Sequence, residues 1–170
     1  MAIQTLYLVD LSIDTSDPSK ASNGTEKLEF QYVPTELAYN REASLATIDV
    51  VGRNNPLQQW TGGNTSMSFS LDFYAEDEAR EEVIKKVRWL QALTYQKQNG
   101  STPLVKLVFG DMFLSEIWRV KTANVKYSNF HPAKNFKPCQ ANVEITLQLD
   151  SRDERGNPYD FTAETFRKLK

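Results

Sequence analysis

The chain has 170 residues, 40% hydrophobic and 25% charged, with a formal net charge of -2, which is the profile of one ordinary globular domain with a real core. That balance lacks the basic excess of a nucleic-acid binder and is too small for a solvating acidic tail. A single cysteine, Cys139, excludes an intrachain disulfide framework and a cysteine-based zinc site, and its place in an alternating segment makes it a small core residue.

In chain order, Met1 to Leu11 has neither a basic start nor a long apolar run, and no stretch reaches the roughly 18 apolar residues of a membrane span. The expectation is a chain made in the cytosol without a secretory route and with no membrane partner. Ile3 to Val9 is a strand candidate, and the Ser-, Asp- and Pro-rich stretch Asp14 to Thr25 is a loop. Leu28, Phe30 and Tyr32 alternate with Glu29 and Gln31, a half-buried strand that Pro34 stops. Residues 35–63 read as a long connection with partial strand character, including Leu45 to Val51 and turn clusters at Gly52 to Pro56 and Gly62-Gly63. A connection of that length inside a compact domain carries a function.

Met67, Phe69, Leu71 and Phe73 then form the apolar face of a clear strand, with Ser66, Ser68, Ser70, Asp72 and Tyr74 opposite. The period changes after it. Val83, Val87, Leu90 and Thr94 fall at helical spacing, flanked by Ile84 and Leu93, so a helix is predicted from about Glu76 to Gln98. Glu76, Asp77 and Glu78 suit its positive start, and Asn99-Gly100 suits its end. After Pro103, Val105, Leu107 and Phe109 alternate with Leu104, Lys106 and Val108, a strand covered on both sides. Gly110-Asp111 is a turn. Leu114 to Asn129 is a long strand, bulged near Lys121-Thr122, and Phe130 to Pro138 is a loop. Ala141, Val143, Ile145, Leu147 and Leu149 alternate with Asn142, Glu144, Thr146, Gln148 and Asp150 in the most regular strand of the chain. Residues 151–170 are a charged extension that carries Tyr159, Phe161, Phe166 and Leu169. The sum is one mainly β domain over residues 1–150, with six or seven antiparallel strands and one helix packed across a sheet or barrel mouth.

Chemistry is sparse. The one histidine, His131, lies between Phe130 and Pro132 with no motif supplying a nucleophile or an orienting carboxylate. One His and one Cys make a transition-metal site improbable. Gly62-Gly63 matches no phosphate loop. Asn64-Thr65-Ser66 is a glycosylation triplet without a secretory route. Glu76, Asp77, Glu78, Glu81 and Glu82 belong to a helix start rather than to an acid pair. Trp60, Trp89 and Trp118 are too dispersed for a stacking platform and read as core or interface residues. The sequence therefore predicts no enzyme, no catalytic residue, no cofactor and no metal.

Two segments together carry a resemblance. Phe30-Gln-Tyr-Val-Pro-Thr-Glu-Leu37 is similar to the F-x-Y-N-P-T-E-L opening of tube-like proteins of contractile phage tails and injection systems, and Pro56-Leu-Gln-Gln-Trp-Thr-Gly-Gly63 resembles that family's P-L-x-Q-W-x-G-G block. The following strand, Ser66 to Tyr74, the helix, the Pro-led strand Pro103 to Phe109, the segment ending Tyr127 to Phe130 and the last strand keep the family's order, so the similarity spans about Leu28 to Asp150. Val33 departs from the usual Asn, Phe109-Gly110 stands in place of a W-G pair, and no peptidoglycan-binding C-terminal domain is present in these 170 residues.

The resemblance implies a tail-tube-like antiparallel β-sandwich or barrel with a flanking helix. It implies a six-fold homo-oligomeric ring that continues its sheets across subunits and links the tail tube protein to baseplate hub and spike proteins. DNA would pass through the channel without specific binding. The location implied is a virion tail or baseplate assembled in the host cytoplasm. The same resemblance covers a repeating tube subunit, and a lipocalin-like ligand-binding barrel is the competitor from another class. Residues 35–63 are expected to be an arm to a neighbouring subunit and 151–170 a contact to another baseplate protein. Ser66, Ser68, Ser70 and Asp72, or Glu144, Thr146 and Gln148, are the candidate channel lining.

Overall fold

The computed structural model describes residues 6–11, 27–52, 54–76, 79–96, 102–110, 112 and 116–150. The loop expected at Asp14 to Thr25, the cap at Asn99-Gly100 and the extension 151–170 lie outside the described residues, as do Ile3 to Thr5, Arg53, Asp77, Glu78, Asp111 and Leu114.

The strands are β1 (Tyr7–Asp10), β2 (Lys27–Glu29), β3 (Leu37–Ile48), β4 (Leu57–Tyr74), β5 (Leu104–Val108), β6 (Trp118–Phe130) and β7 (Pro138–Leu149), with the helix α1 (Arg80–Ala92) between β4 and β5. All seven strands join one sheet in the order β2-β1-β5-β6-β7-β4-β3, and every pair is antiparallel. This is the predicted mainly β architecture with a flanking helix.

The sheet curls on itself. β2 and β3 stand at its opposite edges, yet only residues 30–36 join them. A flat seven-stranded sheet would separate those edges by about 29 Å, close to the full reach of that linker. Instead, Phe30 packs on Phe69 of β4 with ring centroids 5.9 Å apart. Beside it, the Gln31 amide acts as a substitute strand: its Nε2 donates to the Tyr74 carbonyl (2.7 Å) and its Oε1 accepts from the Tyr74 N–H (2.9 Å). The half-sheet β2-β1-β5 thereby folds over the half-sheet β6-β7-β4-β3.

One core fills the interior. It takes Leu8 from β1, Leu28 from β2, Met67, Phe69, Leu71 and Phe73 from β4, Val105 and Leu107 from β5, Trp118 and Val120 from β6, and Ala141, Val143, Ile145 and Leu147 from β7. α1 lies over β7, touching β4 and β6, and adds Val83, Val87 and Leu90, with Leu93 just past its end. The predicted alternations of β4 and β7 and the predicted helical stripe thus all face one interior.

Several expectations are corrected. β2 stops at Glu29 rather than at Pro34, because after Phe30 the chain leaves the ladder to cross the seam, and Tyr32 is exposed. α1 spans Arg80–Ala92, shorter than 76–98. Glu81 and Glu82 occupy its first turn while Glu76 precedes it, and the Leu93, Thr94 and Tyr95 amides bond three residues back, which tightens and ends the helix. β5 has one fully buried face, Val105 and Leu107, and a half-buried one, so it is not covered equally on both sides. β6 begins at Trp118, and its register shifts between Val120 and Thr122, where the bulge was expected. The largest correction concerns 35–63, which is two long strands of a hairpin rather than a connection. Gly52 to Pro56 is its turn, with Arg53 outside the described residues, whereas Gly62-Gly63 is no turn and lies inside β4.

Candidate assembly surfaces

No group of three or more His, Cys, Asp or Glu side chains able to hold a metal exists among the described residues. No described helix is long and apolar enough to cross a membrane. His131 is exposed, Cys139 is half-buried on β7, and Glu81 is paired with Lys137, a hydrogen bond that holds its carboxyl below the ordinary glutamate range. What the fold does assemble is three surfaces.

The first is an arm. β4 pairs with β7 only from Ser66 to Tyr74, whereas β3 follows β4 from Phe69 out to Leu57. Residues 57–65 with their partners on β3 therefore form a two-stranded ribbon beyond the body. Its side chains face solvent on both sides: Leu45, 54% exposed, lies opposite Trp60, 65% exposed, and Ile48 lies opposite Leu57. A lone two-stranded ribbon is marginal in water, and an apolar one gains stability by being covered. The ribbon is bulged midway along its length. Ser44 pairs with Gly62 but Leu45 pairs with Trp60, leaving Thr61 as the extra residue, and the Thr61 hydroxyl donates to the Ser44 carbonyl at 3.0 Å. Gly62 takes φ +156, which a side chain would resist although its Cβ would meet nothing within 4 Å. That backbone requirement accounts for a glycine inside a strand.

The second surface is the outer face of β6-β7-β4-β3. The two rows predicted separately as channel lining are one face: Ser66 lies opposite Gln148, Ser68 opposite Thr146 and Ser70 opposite Glu144. β6 adds Thr122, Asn124 and Lys126, and β3 adds Ala38 and Asn40. Asn142 donates to Ser70 Oγ (2.8 Å) and to Asp72 Oδ1 (2.7 Å), and Lys126 pairs with Glu144 at 2.9 Å. Most of its charge is thus internally matched.

This half-sheet also has two free edges. β3 is an edge along its whole length, and β6 pairs with β5 only at Trp118 and Arg119, so residues beyond Arg119 have β7 on one side and no described strand on the other. Four antiparallel strands run from one edge to the other, so β3 and β6 point in opposite directions. At the inner end of β6, Arg119 Nε reaches the buried Asp150 carboxylate at 2.5 Å, and its Nη1 donates to the Thr102 carbonyl and hydroxyl. This clamp holds the ends of β6 and β7 beside the start of β5.

The third surface is the β6–β7 turn, at the end of β4 opposite the arm. Phe130 and Phe136 are exposed there, with Tyr74, Tyr32 and Val33 at the same end. Arg80 Nη1 donates to the Lys137 carbonyl (2.8 Å) and ties the turn to α1. A groove lined by Glu81, Ile84, Arg88 and Lys137 runs beside it. Tyr127, behind it, has its hydroxyl pKa pushed up by desolvation, partly offset by Arg88.

Of the three tryptophans, Trp118 is in the core, Trp89 is half-buried against it and Trp60 is on the arm. Residues 35–63 were expected as an arm, but its two-stranded form escaped the sequence reading because a ribbon wet on both faces has no period-two contrast. The usable signal was a turn cluster at 52–56 flanked by two segments of similar length.

No family model matches the chain, and no curated protein matches it. Among solved structures, a chain from the virion of a native gene transfer agent (GTA) particle aligns over 90% of this chain and 95% of its own length, at 11% identity and TM-score 0.43. A chain from the tail of an empty GTA particle with C6 symmetry aligns over 90% and 96%, at 12% identity and TM-score 0.40. At those values neither establishes a shared fold or function.

Proposed function

We propose that this protein is a non-enzymatic structural component of a contractile phage tail or injection-system baseplate, forming a six-fold ring that links the tail tube to the central hub. The observation that carries the reading is the half-sheet β6-β7-β4-β3, with a polar outer face and two free edges of opposite direction. An even number of antiparallel strands lets β3 of one copy pair antiparallel with β6 of the next, so the pattern repeats around a closed ring. Closure removes both edges, which are otherwise aggregation templates. Six copies supply about 24 strands; at ~4.8 Å per strand and ~40° tilt the backbone diameter is ~48 Å, wide enough for a DNA duplex. The small, internally paired polar side chains of the outer face suit a lumen that duplex DNA crosses without sticking, since adhesion needs unpaired cations. The resemblance at Phe30 to Leu37 and Pro56 to Gly63 supports the same reading.

In this scheme the arm reaches a neighbouring subunit, covering Leu45 and Trp60, and the opposite end meets a different tail protein. Residues 151–170 are proposed to contact the baseplate. Assembly takes place in the host cytoplasm. A repeating tube subunit is the second reading, favoured by apolar side chains at both ends of the sheet. A ligand-binding barrel loses support because Trp118, Phe73, Met67 and Leu71 occupy the interior.

The test is the solution mass followed by negative-stain imaging. Closed rings of six copies support the ring reading, and long tubes shift it to the tube subunit. A strict monomer at high concentration that also fails to join isolated tail tubes overturns both.

A further inference from the structure

We propose that β3 of one copy pairs with β6 of the next in one staggered register, with Asn40 opposite Lys126 and Tyr39 opposite Tyr127. This contact would close the ring proposed above and rests on that reading. Within one copy, a single row across the half-sheet runs through Thr122, Thr146, Ser68 and Ala38. From that row β6 is free towards the turn, as far as Phe130, whereas β3 is free towards the arm, as far as Ile48. Two copies meeting level would match only Leu37 and Ala38, at Ala123 and Thr122 of the next copy. An offset in one sense along the strands lengthens that overlap, and an offset in the other sense removes it.

Three constraints fix the size of the offset. Even-numbered residues of β3, and of β6 beyond its bulge, share the polar outer face, so a continuous face requires an even offset. Strands of closed barrels tilt by about 35–45°; across the ~19 Å of four strands an offset of four residues is a tilt of about 35°, six is about 46° and eight is about 54°. Four and six therefore fit, and eight does not. Between them, six pairs residues 37–44 with 122–129, whereas four pairs only 37–42 with 122–127. Six also sets Tyr39, 41% exposed, directly opposite Tyr127 on the inward face, where Val125 and Tyr127 are only partly buried. On the outer face it puts the Glu42 carboxylate diagonal to Lys126 of the next copy. Opposite aromatics and diagonal opposite charges both stabilise a strand pair. With an offset of four, Tyr39 would meet Val125 and Lys126 would meet Ala38.

The experiment places cysteine pairs in the full chain, with Cys139→Ser as background, and follows disulfide formation under mild oxidation on denaturing gels beside negative-stain imaging. Within one copy β3 and β6 are three strand spacings apart (~14 Å), so no bridge closes inside a chain and every band above the monomer reports a neighbour. Asn40→Cys with Lys126→Cys should give a ladder up to six copies at least about tenfold faster than Asn40→Cys with Asn124→Cys or with Ser128→Cys, because opposite Cβ atoms lie ~5 Å apart and diagonal ones ~7 Å, beyond disulfide reach. Ala38→Cys with Ser128→Cys reads the same register at a second rung and should cross-link alike. A ladder led by either Asn40→Cys control pair, or rings without any ladder, overturns the register and leaves the ring standing. Neither rings nor ladder overturns both.

Discussion

One strand of this protein lives in two environments. In its second half, Met67, Phe69, Leu71 and Phe73 are buried at every other position, and β4 has β7 on one side and β3 or the Gln31 seam on the other. In its first half, Leu57 and Trp60 are exposed and β3 is the only neighbouring strand among the described residues. The polypeptide is continuous, but the alternating apolar residues Met67, Phe69, Leu71 and Phe73 of the second half have a second layer across them, whereas Leu57 and Trp60 of the first half do not. The body half is held by burial, and the arm half is held by its ladder with its large apolar side chains exposed.

Substitutions separate the two. The largest effect on folding is expected at Trp118, which is fully buried and meets Tyr39 edge-on at 6.1 Å. Trp118→Ala should destabilise the chain by about 3–5 kcal/mol in denaturant titrations, with the solution mass lost only as a consequence. A smaller loss, about 1–2 kcal/mol, is expected for Gln31→Ala, which removes two hydrogen bonds closing the barrel. If it costs nothing, the seam is held by Phe30 on Phe69 alone.

Glu116 gives a pH-dependent case. Desolvation raises its carboxyl pKa above the ordinary 4.5, and its Oε2 is buried without a hydrogen-bond partner. Its folded-state pKa exceeds the unfolded value, so its contribution is fully favourable below about pH 4.5 and is lost as the pH rises through the raised value. Glu116→Gln should therefore raise the denaturation midpoint at pH 7 and give no gain at pH 3.

The smallest effect on folding is expected at the arm. Trp60→Ala should change monomer stability by no more than about 0.5 kcal/mol. It should nevertheless reduce the assembled fraction in light scattering or negative stain. A large destabilisation of the monomer by Trp60→Ala would erase the contrast between the two halves of β4.

The sequence read well wherever one face of an element is wet and the other dry. Leu71 and Val143 sit on strands whose alternation is the direct record of that contrast, and Val83, Val87 and Leu90 record it at helical spacing. Even the bulge in β6 was visible, because Lys121-Thr122 breaks the order of polar and apolar positions. The strand pairing of the arm was not legible for the complementary reason, and Gly62-Gly63 was read as a turn because a glycine pair in isolation is turn chemistry, whereas here it serves a bulge.

Sequence by itself determined the class of the protein: mainly β with a flanking helix. It did so because periodicity is a local property, written into neighbouring residues. Tertiary structure alone decided that Ser68 and Thr146, 78 positions apart, lie opposite each other on one polar face, and that the Gln31 amide substitutes for a strand at Tyr74. It alone left β3 and β6 as free edges of opposite direction. These are relations between residues distant in the chain or set by strand order, and strand order follows from how the whole sheet curls to bury its apolar face.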